Sequence, residues 1–262
     1  MTEYWSPKMM FIEAIQNLNS VKHEGKTKDV DKEELGKLFD TKVLDEISIT
    51  PPPANNSKKT LDEIKGMIDN IKTLSDEQKS QYLNTDDDTS YYIKQYMSNE
   101  DLEYEPEDIE KITDSARHIG RHFKNEFMRP RPHQLADKLG MIMKYFKTDT
   151  TDSPSYPSNH ALQARVVAQY YASIYPEHKQ GLLQAAELSG QGRVDAGVHY
   201  PSDKMAGYQL ADKAMKYFKH EILEDAPVNA TGSAVSTDVP VVRKKKKYEP
   251  TQLFDLLKKH YK

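Results

Sequence analysis

The chain has 262 residues, 37% of them hydrophobic, and a formal net charge of -4. That is enough to bury one sizeable core, without the basic field that would mark nucleic acid or an anionic membrane as the main partner. The absence of cysteine excludes a disulfide framework, cysteine-ligated zinc and thiol catalysis. The first residues, Glu3 among them, lack the apolar run of a signal peptide, and nowhere do roughly 18 apolar residues follow one another, so the sequence predicts a soluble, cytoplasmic protein.

In chain order, Met9, Met10, Ile12, Ala14, Ile15 and Leu18 suit a short amphipathic helix over 7–18. Residues 20–57 are charged and close on Pro51-Pro52-Pro53-Ala54-Asn55-Asn56-Ser57, a loop or linker. From Thr60 the stripe Leu61, Ile64, Met67, Ile68 and Ile71, continued by Leu74, Tyr82 and Leu83, predicts two helices before a turn at Asp86-Asp87-Asp88. Pro106 and the acids after it open a longer helix, with Ile109, Ile112, Ala116, Ile119, Phe123 and Phe127 on one face, ending near Met128. Helices follow over 133–146, 159–175, 177–188 and 202–223. No run alternates in the manner of a strand, so the fold class expected is all-α. Three parts result: 1–57 as an N-terminal extension with linker, 58–225 as a catalytic helical domain, and 226–262 as a tail. In the tail a linker-like stretch precedes Arg243 to Lys247, five consecutive cations, and a short amphipathic helix at Leu253 to Leu257.

Three segments carry chemistry. In Lys124-Asn-Glu-Phe-Met-Arg-Pro-Arg131-Pro132 a lysine near a helix end and an arginine in a proline-restricted turn suit a grip on phosphate oxygens. In Tyr156-Pro157-Ser158-Asn159-His160 a hydroxyl and free backbone N–H groups stand at the positive end of a helix, with His160 in the first turn, able to protonate a leaving oxygen. In Gly190-Gln-Gly-Arg193-Val-Asp-Ala-Gly-Val-His199-Tyr-Pro-Ser-Asp203, Arg193 can hold phosphate and His199 can attack phosphorus. Asp203, four residues on, can accept the other imidazole N–H. Each segment alone also fits a plainer reading, as solvated cations, a helix cap, or an ion pair at a helix start. His118 and His122, four apart, lack the acidic partner of a metal site, and a partly exposed helix face is expected there.

Taken in order, Lys-x6-Arg-Pro, Pro-Ser-Asn-His and Gly-Arg-x5-His-x3-Asp resemble the signature of the PAP2 superfamily, and the longer strings around His160 and His199 are most similar to class A non-specific acid phosphatases. The resemblance is densest between Lys124 and Gly207. It implies a PAP2-like helical bundle core and a phosphohydrolase that needs no cofactor. Lys124, Arg131, Ser158, Asn159 and Arg193 would bind phosphate, His199 would be the nucleophile, His160 the acid and Asp203 the partner of His199. It also implies two alternatives: a vanadium-dependent haloperoxidase, in which vanadate would be cofactor rather than inhibitor, and a non-catalytic scaffold on the same core. The sequence departs from the family in having Asn159 where glycine is usual and Gly192 where serine is common. Asparagine tolerates left-handed backbone angles, so the first change is expected to be nearly silent, whereas the second removes a hydroxyl. The expected partner is a small phosphorylated substrate, with the basic tail available to an acidic partner.

Overall fold

The computed structural model describes residues 17–219. Among them the ordered elements are helical: α1 Lys32–Leu38, α2 Val43–Glu46, α3 Lys58–Ile71, α4 Asp76–Asp87, α5 Tyr91–Asn99, α6 Pro106–Phe127, α7 Pro132–Lys138, α8 Asn159–Ile174, α9 Lys179–Asp195 and α10 Pro201–Ala214, with short 3-10 turns between. No strand occurs among the described residues, and the one β-type contact is an isolated bridge between Phe39 and Phe218. The fold is all-α. The tail and most of the helix expected over 7–18 lie outside the described residues; within them, Leu18–Ser20 form a 3-10 turn.

α8 is the centre. Its Ala161, Leu162, Ala164, Val166, Val167 and Ala168 are fully buried, a helix apolar on nearly every side and therefore wrapped on every side. α6, α9 and α10 pack around it. α6 begins with Pro106 and two acids in its first turn, turns Ile109, Ile112, Ala116, Ile119 and Phe123 inward, and stops at Met128, whose φ of 49° breaks the helical run before Pro130.

Four sequence expectations require correction. The helix expected over 133–146 ends at Lys138, because Gly140 takes a φ of 67° and closes it. The chain then runs without helix to a 3-10 turn at Asp149–Asp152. The helix expected over 177–188 continues to Asp195, so Arg193 stands in its last turn. Glycines at 190 and 192 usually weaken a helix, but here neighbouring rings claim their space, with Tyr208 against Gly190 and Tyr82 against Gly192. The last helix stops at Ala214 rather than Leu223. Finally, α1, α2 and α5 have no counterpart in the sequence reading. They bury Leu35, Leu38, Val43, Leu44, Ile93 and Met97 in the same cluster as α6 and α8, so part of the stretch set apart as 1–57 belongs to this core.

No helix among the described residues is long and apolar enough to cross a membrane.

Candidate active site

The three motif segments converge where the C-terminal end of α6, the start of α8, the end of α9 and the start of α10 meet. A cleft of about 230 Å³ opens there, lined among others by Lys124, Arg131, Asn159, His160 and His199. Arg193, Ser158 and Asp203 do not line it and stand behind that surface.

His199 is held from both sides. Its Nδ1 lies 3.2 Å from Asp203 Oδ2, and its Nε2 lies 3.0 Å from Nη1 of Arg131. A guanidinium can only donate, so Nε2 must be the acceptor, and the ring proton is then on Nδ1, donated to Asp203. This leaves the lone pair of His199 on Nε2, at the cleft. Asp203 is itself fixed by four donors. Arg129 Nη1 donates to Oδ1 at 2.6 Å, and Tyr200 N–H to Oδ2 at 2.9 Å. The Ser155 hydroxyl and His199 complete the set. Burial alone would raise the Asp203 carboxyl. Arg129, His199 and Ser155 overcome it and hold the group well below the usual carboxylate range. Arg129 also stacks 3.7 Å from the centroid of Tyr200 and reaches Ser202 Oγ at 2.8 Å.

Arg131 reaches the site because it caps α7, its conformation restricted by Pro132 and its N–H bonded to Gln134 Oε1 at 2.8 Å. Its guanidinium is engaged all round, donating to the carbonyls of Ser153 at 2.8 Å, Val198 at 2.7 Å and Thr150 at 3.1 Å, and to Ser153 Oγ at 3.3 Å. Burial and nearby Arg193 bring it down to about 9, still protonated at neutral pH. Lys124 donates Nζ to the Pro154 carbonyl. Burial, then Arg131, pushes that ammonium well below its ordinary value.

His160 stands in the first turn of α8, and its Nε2 lies 3.4 Å from the Asp86 carbonyl and 3.8 Å from Asp86 Oδ1. Burial first, then Arg193 and His199, pushes it well below the usual histidine value. Ser158 is the N-cap of α8, its Oγ accepting from Ala161 N–H at 3.4 Å, so the capping reading of this residue holds. Asn159 is the first helical residue and is not among the residues of positive φ. The left-handed angle invoked for it is therefore not used. Its Nδ2 donates to the Arg117 carbonyl at 3.2 Å, and its side chain lies where a Cβ on residue 120 would overlap it, a space left by Gly120.

Sequence reasoning missed Asp86, Arg129, Ser155 and the pair Thr148 and Thr150. Asp86, at the end of α4, lies 2.8 Å from Arg193 Nη2 and accepts from the hydroxyls of Thr150 at 2.6 Å and Thr148 at 2.9 Å. Its signal was masked by two further aspartates in what reads as a turn. At Gly192 the missing serine is replaced by packing, since a Cβ there would sit 2.9 Å from Tyr82 Cδ1. The glycine lets α4 approach α9 closely enough to bring Asp86 to Arg193. The histidine pair on α6 divides: His118 is buried and accepts from Asp31 N–H at 2.9 Å, while His122 packs edge-on against Phe123. Among the described residues no group of three or more histidines and acids is placed to hold a metal ion.

Comparison with known proteins finds matches over the segments that form the cleft. Residues 115–211, which include all the motif segments, match the PAP2 superfamily. The helices from α6 to α10 around the cleft are thus similar to the PAP2 superfamily over that stretch, as the motifs implied. A protein named "Acid phosphatase" from Zymomonas mobilis subsp. mobilis is 33% identical over 93 residues, covering 36% of this chain and 34% of the relative. The similarity therefore spans about a third of that protein's length.

Proposed function

We propose that the chain is a metal-independent phosphohydrolase acting on phosphate monoesters through a phosphohistidine on His199. The observation that carries this reading is the tautomer of His199. A ring whose Nδ1–H is committed to Asp203 keeps its lone pair on Nε2, where Arg131 Nη1 now donates to it at the cleft, and it is arranged to attack phosphorus once that N–H turns to a phosphate oxygen. The PAP2 match and the acid phosphatase relative support the same class of reaction.

In this mechanism Nε2 of His199 forms a bond to phosphorus as the ester P–O bond breaks, and His160, whose protonated form the bound phosphate dianion and Asp86 restore against its burial, gives its proton to the leaving oxygen. His160, now neutral, takes a proton from water, whose oxygen attacks the phosphohistidine. Inorganic phosphate leaves and His199 returns to its starting tautomer. The positive charges of Lys124, Arg131 and Arg193, with the α8 N-terminus at Ser158 and Asn159, stabilise charge developing on the equatorial oxygens. Arg131 does so by exchanging His199 Nε2, the acceptor of its Nη1 at 3.0 Å, for a phosphate oxygen, which frees the lone pair for attack. No cofactor enters, and orthovanadate acts as an inhibitor that imitates the five-coordinate transition state.

The test is a phosphate-release assay in EDTA on an aryl and an alkyl phosphate. EDTA should have no effect, and His199→Ala should lose turnover on both esters. His160→Ala should slow the alkyl ester by about 100- to 10,000-fold and the aryl ester far less, because nitrophenolate needs little protonation. Loss of activity in EDTA with recovery in magnesium would sink the mechanism.

A further inference from the structure

The cations of the cleft are not equally engaged. Lys124 and Arg131 on its floor, and Arg193 behind it, all bond protein acceptors. The wall above them is different. Arg117 and Arg121 line the same cleft from α6, and Lys28 lines it beside them. With Lys124 they stand at i, i+4 and i+7, one face of one helix. At about 1.5 Å per residue, Arg121 lies roughly 4.5 Å and Arg117 roughly 10.5 Å along the axis from Lys124. Among the described residues no carboxylate comes within ion-pair distance of Arg121 or Lys28, and Arg121 has only the Asp29 carbonyl at 3.4 Å. Arg117 pairs with Asp114 on its own helix. Asp114, Asp29 and Asp31 lie near Arg121 without pairing with it, and the acids that line the cleft with these cations are Asp86, already bound to Arg193, and Asp87.

This wall lies on a particular side of the reaction. Asn159 bonds the Arg117 carbonyl and covers Gly120, so the Arg117 to Arg121 turn abuts the first turn of α8, where His160 stands. His199 lies with Arg131. In-line attack from His199 expels the leaving group toward His160, and hence along the cationic face of α6.

Resting on the hydrolase reading above, we propose that Arg117, Arg121 and Lys28 form a subsite for a second phosphate carried by the leaving group, so that diphosphates are the preferred substrates. The nearest rung stands one helical turn from Lys124, which suits a phosphate directly joined to the one attacked. Attack by His199 Nε2 on the terminal phosphorus breaks the anhydride P–O bond, and the remainder departs as a phosphate anion that needs little proton from His160. A neighbourhood in which burial, Arg193 and His199 disfavour the protonated form of His160 suits such a leaving group.

The test is calorimetric titration of methylenediphosphonate and methylphosphonate into the full chain at 0.15 M salt, about one Debye length of 8 Å, where only close charges count. Wild type should bind the diphosphonate about tenfold more tightly. Arg117→Gln with Arg121→Gln should abolish that advantage while moving methylphosphonate less than about twofold. Lys28→Gln, at an exposed position, should give a smaller change in the same direction and serves if the double variant fails to fold. Equal binding of the two ligands by wild type, or equal weakening of both in the variants, would overturn the subsite. A diphosphonate preference with no hydrolysis of any ester or diphosphate would leave the subsite standing and remove the hydrolase reading. Hydrolysis of esters without that preference would do the reverse.

Discussion

The two histidines of the cleft are supported in different ways. Behind His199 everything is buried and multiply bonded: Asp203 is fully buried and accepts from Arg129, Ser155, Tyr200 and His199. These groups come from the turn after α6, the approach to α8 and the start of α10, so no single segment sets the direction of His199. Behind His160 the support is one residue, Asp86, at the end of α4, through its carbonyl and its carboxylate, the latter held by hydroxyls from Thr148 and from Thr150 in the 3-10 turn. α4 itself buries few side chains, Tyr82 and Thr85 among them. The side of His199, the proposed nucleophile, is over-determined, and that of His160, the proposed acid, is adjustable. An active site that must keep one aim while accepting different leaving groups benefits from that division.

The comparison breaks most violently at Arg129. Arg129→Met would leave Asp203 buried with its main charge partner gone, a loss of about 3–5 kcal/mol of stability by the usual cost of breaking a buried pair. Denaturant unfolding measures it. A loss under about 1 kcal/mol would show that Ser155, Tyr200 N–H and His199 suffice to hold the carboxylate, and that the nucleophile side is less dependent on charge than its geometry implies.

That Arg129 escaped the sequence reading, while Arg131 two residues later did not, shows what sequence makes legible here. Lys124, Arg131, His160, Arg193, His199 and Asp203 are legible because their types suit the chemistry and because, taken in order, they resemble the signature of the PAP2 superfamily, whereas each segment alone also fits a plainer reading. Arg129, Ser155 and Asp86 act on those residues rather than on a substrate, and a supporting arginine or aspartate has no spacing rule to betray it. The long helices are legible for a similar reason, since α6 and α8 repeat their apolar period over several turns. α1 and α2 are too short to display a period, and their burial of Leu35, Leu38, Val43 and Leu44 is decided by α6 and α8, distant in sequence. The extension of α9 through two glycines is likewise set by Tyr208 and Tyr82, not by local preference.

A milder test acts on the adjustable side. Asp86→Asn keeps the hydroxyl contacts of Thr148 and Thr150 available and removes one negative charge from beside Arg193 and His160. Arg193 is then freer for a phosphate dianion, so KM for phosphate esters should fall by about three- to tenfold. His160 loses the carboxylate that favours its protonated form, so kcat on an alkyl ester should fall by a similar factor and kcat on an aryl ester should hardly move. Steady-state kinetics on the two esters separate these effects. A rise in KM would mean that Asp86 aims Arg193 rather than competing for it.

The smallest expected effect lies at Gly192, and it asks whether α4 transmits position to the site at all. Gly192→Ser places the residue common in the family at a point where its Cβ meets Tyr82 Cδ1 at 2.9 Å, so the ring must yield by a few tenths of an ångström. Overpacking of this kind typically costs about 1–3 kcal/mol. Serine regains up to about 0.5 kcal/mol of helix propensity over glycine, and Tyr82 packs in a small cluster with Ile71, Leu74 and Phe146 while its hydroxyl bonds Asp195, so the ring yields by a small tilt rather than by leaving its place. A net loss near 1 kcal/mol is therefore expected in thermal or denaturant unfolding. Tyr82 stands one helical turn before Asp86, and a shift of that turn lengthens the 2.8 Å contact between Asp86 and Arg193. KM should then fall in the direction of Asp86→Asn but by less, within about twofold, since the carboxylate is displaced rather than removed. If Gly192→Ser costs stability and leaves KM untouched while Asp86→Asn moves it, the carboxylate is held by Thr148 and Thr150 rather than by α4. The adjustable element of the acid side would then be the segment around those threonines.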